Sequence, residues 1–248
     1  MLLSTDQWKW EKPQSGGCYS EGFWVGTDPE GKKWFVKLKG SFYGYRELVF
    51  SRIALLLGWS HQRSLFASFS EETLARLKPK FDDRFHVVSA FLEQHGDPKK
   101  CRDCPLVMFQ RLDSKPSIRA LKAIPITNIL DLPRSEIAAF LFGSNDGPEP
   151  LYTQDHRMIM IDSEQFFSGS PSDPRNSEWW MDKDEGPKLV VEVCLAIGSL
   201  SDEQLEECLR IPNGVVIQPF ENLTIDDIKR NVFLGRDKAR DFVVNEPT

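Results

Sequence analysis

The stretch GSNDGPEPLYTQDHRMIMIDSEQFF, residues 143–167, joins a loop dense in acidic, glycine and proline residues to a short apolar strand that ends in a carboxylate. Asn145, Asp146, Gly147 and Pro148 form a run that no helix continues through, which leaves the Asp146 carboxylate in a loop and free to point at a ligand. Met158 to Ile161 are four apolar residues that read as a buried strand, and Asp162 follows them directly. Two carboxylates joined by a short hairpin can converge on one magnesium ion, with phosphates supplying the remaining oxygens. An acidic surface turn followed by a strand-end aspartate is the competing reading of the same residues.

Upstream, Pro133 to Phe142 places Ile137, Phe140 and Leu141 on one helical face, so a helix delivers the chain to Asn145 and Asp146. Downstream, Leu151 to Thr153 and Arg157 to Ile161 read as a hairpin turned at Gln154 to His156; His156 has the chemistry of a ligand or a base, and a solvated turn residue is the favoured reading at a hairpin tip.

The first informative segment of the chain, Ser15 to Gly40, reads as two strands around a turn at Asp28 to Gly31. Alternation in the second strand puts Trp34, Val36 and Leu38 on one face and Phe35, Lys37 and Lys39 on the other. Gly16 and Gly17, with Ser15, Ser20 and Gly22, give a flexible hairpin entrance whose backbone N–H groups can approach a phosphate closely; a plain turn is the simpler reading. Tyr45 to Leu57 carries Leu48, Val49, Ile53, Leu56 and Leu57 at helical spacing, with Gly58 as a stop. Glu47 falls in the first turn of that helix, either as a solvated N-terminal charge or as the partner of Lys37.

Further on, Ser68 and Glu71 are spaced as a capping box for a helix to Leu77, and Arg84 to Leu92 and Leu106 to Leu112 read as strands. Cys101 and Cys104 have the spacing of a zinc half-site, with His95 nearby, but no second pair completes it; a loop with two reduced thiols is the default. Trp179 and Trp180 anchor a Ser-, Pro- and Asp-rich loop, or offer a partner surface. Lys188 to Ile197 is apolar enough for helix or strand, Ser201 and Gln204 form a capping-box pair, and a last helical region begins at Thr224.

The 248 residues suffice for a substantial core, and 40% apolar with 27% charged residues is ordinary for a soluble globular protein. A formal charge of -6, without any long Lys/Arg cluster, argues against broad nucleic-acid binding. No apolar run approaches the roughly 18 residues of a spanning helix, so membrane integration is not expected. Five irregularly spaced cysteines and a start lacking a basic, apolar leader suit a reducing compartment, with the cytoplasm as default.

In order along the chain, Gly16-Gly17, Phe35-Val36-Lys37, Glu47 with Leu57-Gly58, Asn145-Asp146, and Ile161-Asp162 before Phe166-Phe167 resemble the HipA-like kinase family. That family lies within the wider group of protein-kinase-like and phosphoinositide-kinase-like folds. The resemblance runs over residues 12–245 and includes Ile211-Pro212 and the closing Leu-Gly-Arg-Asp-Lys-Ala-Arg segment. It implies a two-lobed α+β fold. Residues 1–110 would form a small stranded nucleotide-binding lobe and residues 111–248 a larger, mainly helical lobe, together one kinase-like domain.

ATP and magnesium would lie between the lobes. Lys37 would contact the α- and β-phosphates with Glu47 holding it, and the Gly16-Gly17 backbone would approach the phosphates. Asp146 would take the catalytic-loop position and Asp162 would bind metal. The implied activity is ATP-dependent phosphoryl transfer to a serine or threonine hydroxyl of a protein. The sequence departs from the family after Asp146, where a basic residue, a histidine and a later metal-binding asparagine are usual. Here Gly147, Pro148, Glu149, Pro150 and Leu151 follow. The alternative function is therefore a catalytically degenerate kinase-like module that binds nucleotide or scaffolds a protein partner.

Overall fold

The computed structural model describes residues 2–11, 23–79, 83–90, 118–144, 147, 149–152, 157–161, 163, 165–177 and 184–245. The architecture is mixed α+β: strands dominate up to residue 90 and helices dominate from residue 118 onward. The expected strand at Leu106 to Leu112, the Cys101/Cys104 pair with His95, His156 and the Trp179-Trp180 pair lie outside the described residues, as do Gly16, Gly17, Asp146 and Asp162.

Six strands, β1 (Leu2–Ser4), β2 (Lys9–Glu11), β3 (Phe23–Thr27), β4 (Lys33–Lys37), β5 (Ser64–Ser68) and β6 (Phe85–Ala90), form one sheet in the order β1-β5-β6-β4-β3-β2. The β3/β4 hairpin has the expected turn. Asp28 closes it, its carboxylate accepting from the backbone N–H groups of Glu30 at 3.0 Å and Lys32 at 2.8 Å and from Trp34 Nε1 at 2.9 Å. Among the described strands of this sheet, β1 and β5 run parallel and the other pairings are antiparallel.

Consecutive strands β1 and β2 lie on opposite edges, and this fixes the sheet's shape. Six flat strands would hold their outer members about 24 Å apart, whereas the link from Ser4 to Lys9 reaches at most about 18 Å. The sheet must curl. Inside the curl Trp8, Trp34, Val36, Leu38, Ala67, Phe69 and Val88 pack with Leu74 and Leu77. The Trp8 and Trp34 rings stack with centroids 5.7 Å apart. Position 26 has to be glycine, since a Cβ there would come within 2.5 Å of the Trp8 ring.

Leu74 and Leu77 belong to α2 (Glu71–Leu77), whose start differs from the expected Ser68 cap. Ser70 is the N-cap, accepting from Thr73 N at 3.1 Å, because pairing with β1 and β6 claims Ser68 for strand β5.

Helix α1 (Ser41–Leu56) covers the other face of the sheet. It begins four residues before the expected Tyr45 and runs through Gly44, without a side-chain cap of its own. Its start is satisfied from a distance: Asp83 accepts from Ser41 N at 2.6 Å, pairing one orphan donor and placing negative charge at the positive end of the helix. Phe42, Tyr45, Leu48, Val49, Phe50, Ile53 and Ala54 are buried around most of its circumference. A helix apolar on nearly all sides must be enclosed.

The enclosure is completed by α4 (Asp131–Leu141), α5 (Gly186–Gly198), α6 (Asp202–Leu209) and α7 (Ile225–Asn245), whose buried residues join those of α1 in one continuous core. A short helix, α3 (Ile118–Lys122), precedes α4. Tyr45 Oη donates to the Leu209 carbonyl at 2.6 Å, and Arg52 donates to the carbonyls of Cys208 at 3.0 Å and Arg210 at 2.6 Å, tying α1 to the end of α6. The ambiguous apolar run at Lys188 to Ile197 is helical. The capping box is complete, Gln204 N donating to Ser201 Oγ at 3.2 Å and Ser201 N to Gln204 Oε1 at 2.9 Å.

Between α4 and α5, β7 (Glu149–Tyr152) pairs antiparallel with β8 (Met158–Ile161), so the first strand begins two residues before the expected Leu151, while Thr153 and the expected turn at Gln154 to His156 lie outside the described residues. Met158 and Met160 are buried with Leu121, Ile124, Ile126, Ile129 and Leu132. None of the described helices is long and apolar enough to cross a membrane.

Candidate functional site

Lys37 closes β4 on the face opposite Trp34 and Val36, so the strand's alternation turns its ammonium toward α1. Lys37 Nζ donates to Glu47 Oε2 at 2.9 Å, and the two side chains are 15% and 2% exposed. Glu47 therefore does not stand in the first turn as a solvated charge. Because α1 begins at Ser41, Glu47 lies in its second turn, on the face that meets the sheet.

A buried carboxylate needs donors on both oxygens. The second comes from β5, where Ser64 Oγ donates to Glu47 Oε1 at 3.2 Å. Ser64 N in turn donates to Ser51 Oγ at 3.2 Å, one turn further along α1, and the Ser51 hydroxyl donates to the Gln62 carbonyl. The polar chain thus runs from β4 through α1 to the segment that leads into β5.

That segment also holds β8. Gln62 N donates to the Met160 carbonyl and Met160 N to the Ser60 carbonyl, both at 2.9 Å, while Asn128 brackets Met158, donating to its carbonyl at 2.6 Å and accepting from its N–H at 2.8 Å. Asp131 of α4 accepts from Ser60 N at 2.9 Å and from Arg134 at 2.9 Å.

His61, buried in the same segment, is held neutral: burial pulls its pKa down to about 4, Lys37 adds to that effect, and the Gln62 carbonyl and Glu47 oppose it. Its Nδ1–H donates to the Gln62 carbonyl at 3.0 Å in the tautomer that this contact selects.

Arg46, beside Glu47 on α1, is 2% exposed. Its Nε donates to the Phe166 carbonyl at 2.8 Å, and the guanidinium lies 5.4 Å from the Tyr43 ring centroid and 5.9 Å from that of Phe42. Burial lowers its pKa to about 10, which leaves it protonated at neutral pH. The chain after Phe166 is locked in place. Phe167 has φ of +64°, its N–H donates to the Phe142 carbonyl at 3.1 Å, and Asn231 of α7 donates to the carbonyls of Phe167 at 3.1 Å and Gly169 at 2.9 Å.

Of the residues marked by the sequence, the structure brings Lys37 and Glu47 together; Gly16, Gly17, Asp146 and Asp162 fall outside the described residues. Among the described residues no group of three or more His, Cys, Asp or Glu side chains could hold a metal ion. Sequence reasoning missed Ser64, Ser51, Arg46 and His61. No local signal marks them, because a serine in a strand or an arginine in a helix is ordinarily a surface residue.

The whole chain aligns with a solved kinase. The crystal structure of a Helicobacter pylori proinflammatory kinase, CtkA, matches with a TM-score of 0.55 at 10% identity, over 99% of this chain and 100% of that one. The fold is kinase-like. No protein-family model matches the chain, and no curated protein matches its sequence. Within the kinase-like fold the Lys37–Glu47 pair joins a sheet strand to the helix packed on that sheet, and Arg46 connects the same helix to the segment beyond β8.

Proposed function

We propose that this chain is a HipA-like, ATP-dependent kinase that transfers a phosphoryl group to a serine or threonine hydroxyl of a protein. The observation that carries the reading is the buried Lys37–Glu47 ion pair, in a fold like that of a solved kinase. An ammonium fixed at 2.9 Å by a carboxylate that is itself held by Ser64 is preorganised to receive a polyphosphate without reorganising on binding. ATP supplies the phosphoryl group, and magnesium supplies charge neutralisation at the phosphates.

In this reading residues 1–110 form a nucleotide-binding lobe and residues 111–248 a helical lobe of one kinase-like domain. Lys37 contacts the α- and β-phosphates, Glu47 orients Lys37, and the Gly16-Gly17 backbone approaches the phosphates. Asp146 orients the acceptor hydroxyl and Asp162 binds magnesium. Asp162 follows β8, the strand that Ser60, Gln62 and Asn128 hold by its backbone. The protein acts in the cytoplasm on a protein substrate.

One observation favours a second reading, a degenerate kinase-like module that binds nucleotide or scaffolds a partner. Leu151, five positions after Asp146, stands where kinases carry a metal-binding asparagine, and it pairs with Ile159 in the β7/β8 hairpin.

A thermal-shift titration with ATP, with and without magnesium, is the first test. A magnesium-dependent rise fits the kinase, a magnesium-independent rise fits the degenerate module, and no rise removes nucleotide binding. Transfer of labelled γ-phosphate to the protein or to a lysate is the second, and transfer that persists unchanged in Asp162→Ala refutes the assignment of that residue.

A further inference from the structure

Glu47 has two oxygens to satisfy in a site that is almost dry, and their donors come from different strands. Oε2 takes the Lys37 ammonium from β4 at 2.9 Å, and Oε1 takes the Ser64 hydroxyl from β5 at 3.2 Å. A carboxylate held on one oxygen alone can swing about its terminal bond, whereas donors on both oxygens fix its plane. Ser64 is itself held, 3% exposed, with its N–H on Ser51 Oγ, so its hydroxyl has a fixed origin.

We propose that Ser64 is a positioning residue, and that its hydroxyl sets where the Lys37 ammonium stands by fixing the plane of the Glu47 carboxylate. The functional consequence rests on the reading of Lys37 as the cation that faces the nucleotide phosphates. Loss of the hydroxyl leaves Glu47 Oε1 without this donor, and the Lys37–Glu47 pair becomes loose while the strands and helix that carry it remain. Through the Ser64 backbone, Ser51 and Gln62, the same unit reaches the Met160 carbonyl, so the ammonium and β8 share one support.

The test uses two variants of equal shape in the full chain, Ser64→Thr and Ser64→Val. Both add branching at the same buried place and differ in the hydroxyl. The first readout needs no nucleotide: the rate at which a water-soluble acetylating ester modifies the Lys37 amine, read by peptide mass spectrometry, with Lys33 on the same strand as reference. A hydrogen bond to a charged group corresponds to about a tenfold change or more in the equilibrium it governs. Lys37 in Ser64→Val should therefore react about tenfold faster than in Ser64→Thr, with Lys33 unchanged.

Equal Lys37 rates in the two variants overturn the proposal. If Ser64→Val does not fold, Ser64→Ala compared with the unaltered protein gives the same contrast, and equal rates there overturn it too. Magnesium-ATP affinity, measured alongside, separates the two readings. Faster Lys37 modification together with about tenfold weaker ATP binding supports both. Faster modification in a protein whose unaltered form binds no ATP supports the positioning role of Ser64 and removes the nucleotide reading.

Discussion

Lys37 and Glu47, ten residues apart in sequence, meet at 2.9 Å between a strand and a helix, with the carboxylate almost wholly removed from water. A pair in that setting is strongly asymmetric in its response to substitution. Its net contribution is modest because desolvation offsets attraction, yet removing one partner strands the other.

Lys37→Met should accordingly destabilise the protein by about 3 kcal/mol, since Glu47 is left buried with the Ser64 hydroxyl as its remaining donor of this pair. Adding Glu47→Leu should restore part of that loss, because the double variant no longer buries an unpaired carboxylate, with the Ser64 hydroxyl, deprived of its acceptor, holding the recovery below completion. Urea denaturation of the single and double variants decides it, and a double variant less stable than Lys37→Met alone would contradict the account.

Arg46 bridges α1 to the chain beyond β8, so its replacement should act locally. In Arg46→Met the Phe166 carbonyl loses its 2.8 Å donor, and amide exchange at Phe167 and Gly169 should accelerate well before exchange in the β3/β4 hairpin. Uniform acceleration across the sheet would show instead that Arg46 supports the whole fold.

Two glycines with positive φ should respond very differently to alanine. Gly31, at φ +86°, has open space where a Cβ would stand, so Gly31→Ala should cost about 1 kcal/mol of backbone strain. Gly143, at φ +67°, would place its Cβ 2.2 Å from the Gly169 carbonyl oxygen. Backbone faces backbone there and neither can rotate away, so Gly143→Ala should cost about 3 kcal/mol or more. Thermal denaturation of the two variants measures the contrast.

His61 predicts a pH dependence of stability with a definite sign. Its folded pKa, about 4, lies below the unfolded value near 6.5, so below pH 6.5 the unfolded chain takes up a proton that the folded chain refuses. The associated stability is fully present above pH 6.5 and is lost as the pH falls to about 4, by about 3 kcal/mol in total. His86, whose pKa burial also lowers, shifts stability in the same direction. His61→Phe should remove its own share of the slope, which appears as a difference between variant and unaltered protein in denaturation at pH 4 to 7.5.

The sequence by itself determined what neighbouring residues settle among themselves. Alternation in KWFVK assigned Trp34 and Val36 to one face and Lys37 to the other, Asp28 to Gly31 specified a hairpin turn, and Ser201 with Gln204 specified a helix start; these three rest on periodicity or capping chemistry within a few residues. The apolar run Met158 to Ile161 specified a strand, but only the structure decided that Met158 and Met160 are its buried face while Ile159 and Ile161 are half-buried.

Only the tertiary structure decided that α1 starts at Ser41, because the group that satisfies its first N–H is Asp83, far along the chain. It also decided that the sheet curls, since that follows from the pairing of β1 and β2 on opposite edges. The burial of Glu47, its second donor Ser64 and the reach of Arg46 to Phe166 are likewise contacts between remote segments, and no local pattern encodes a hydrogen bond whose partners first become neighbours when the sheet, α1 and the later helices close on one core.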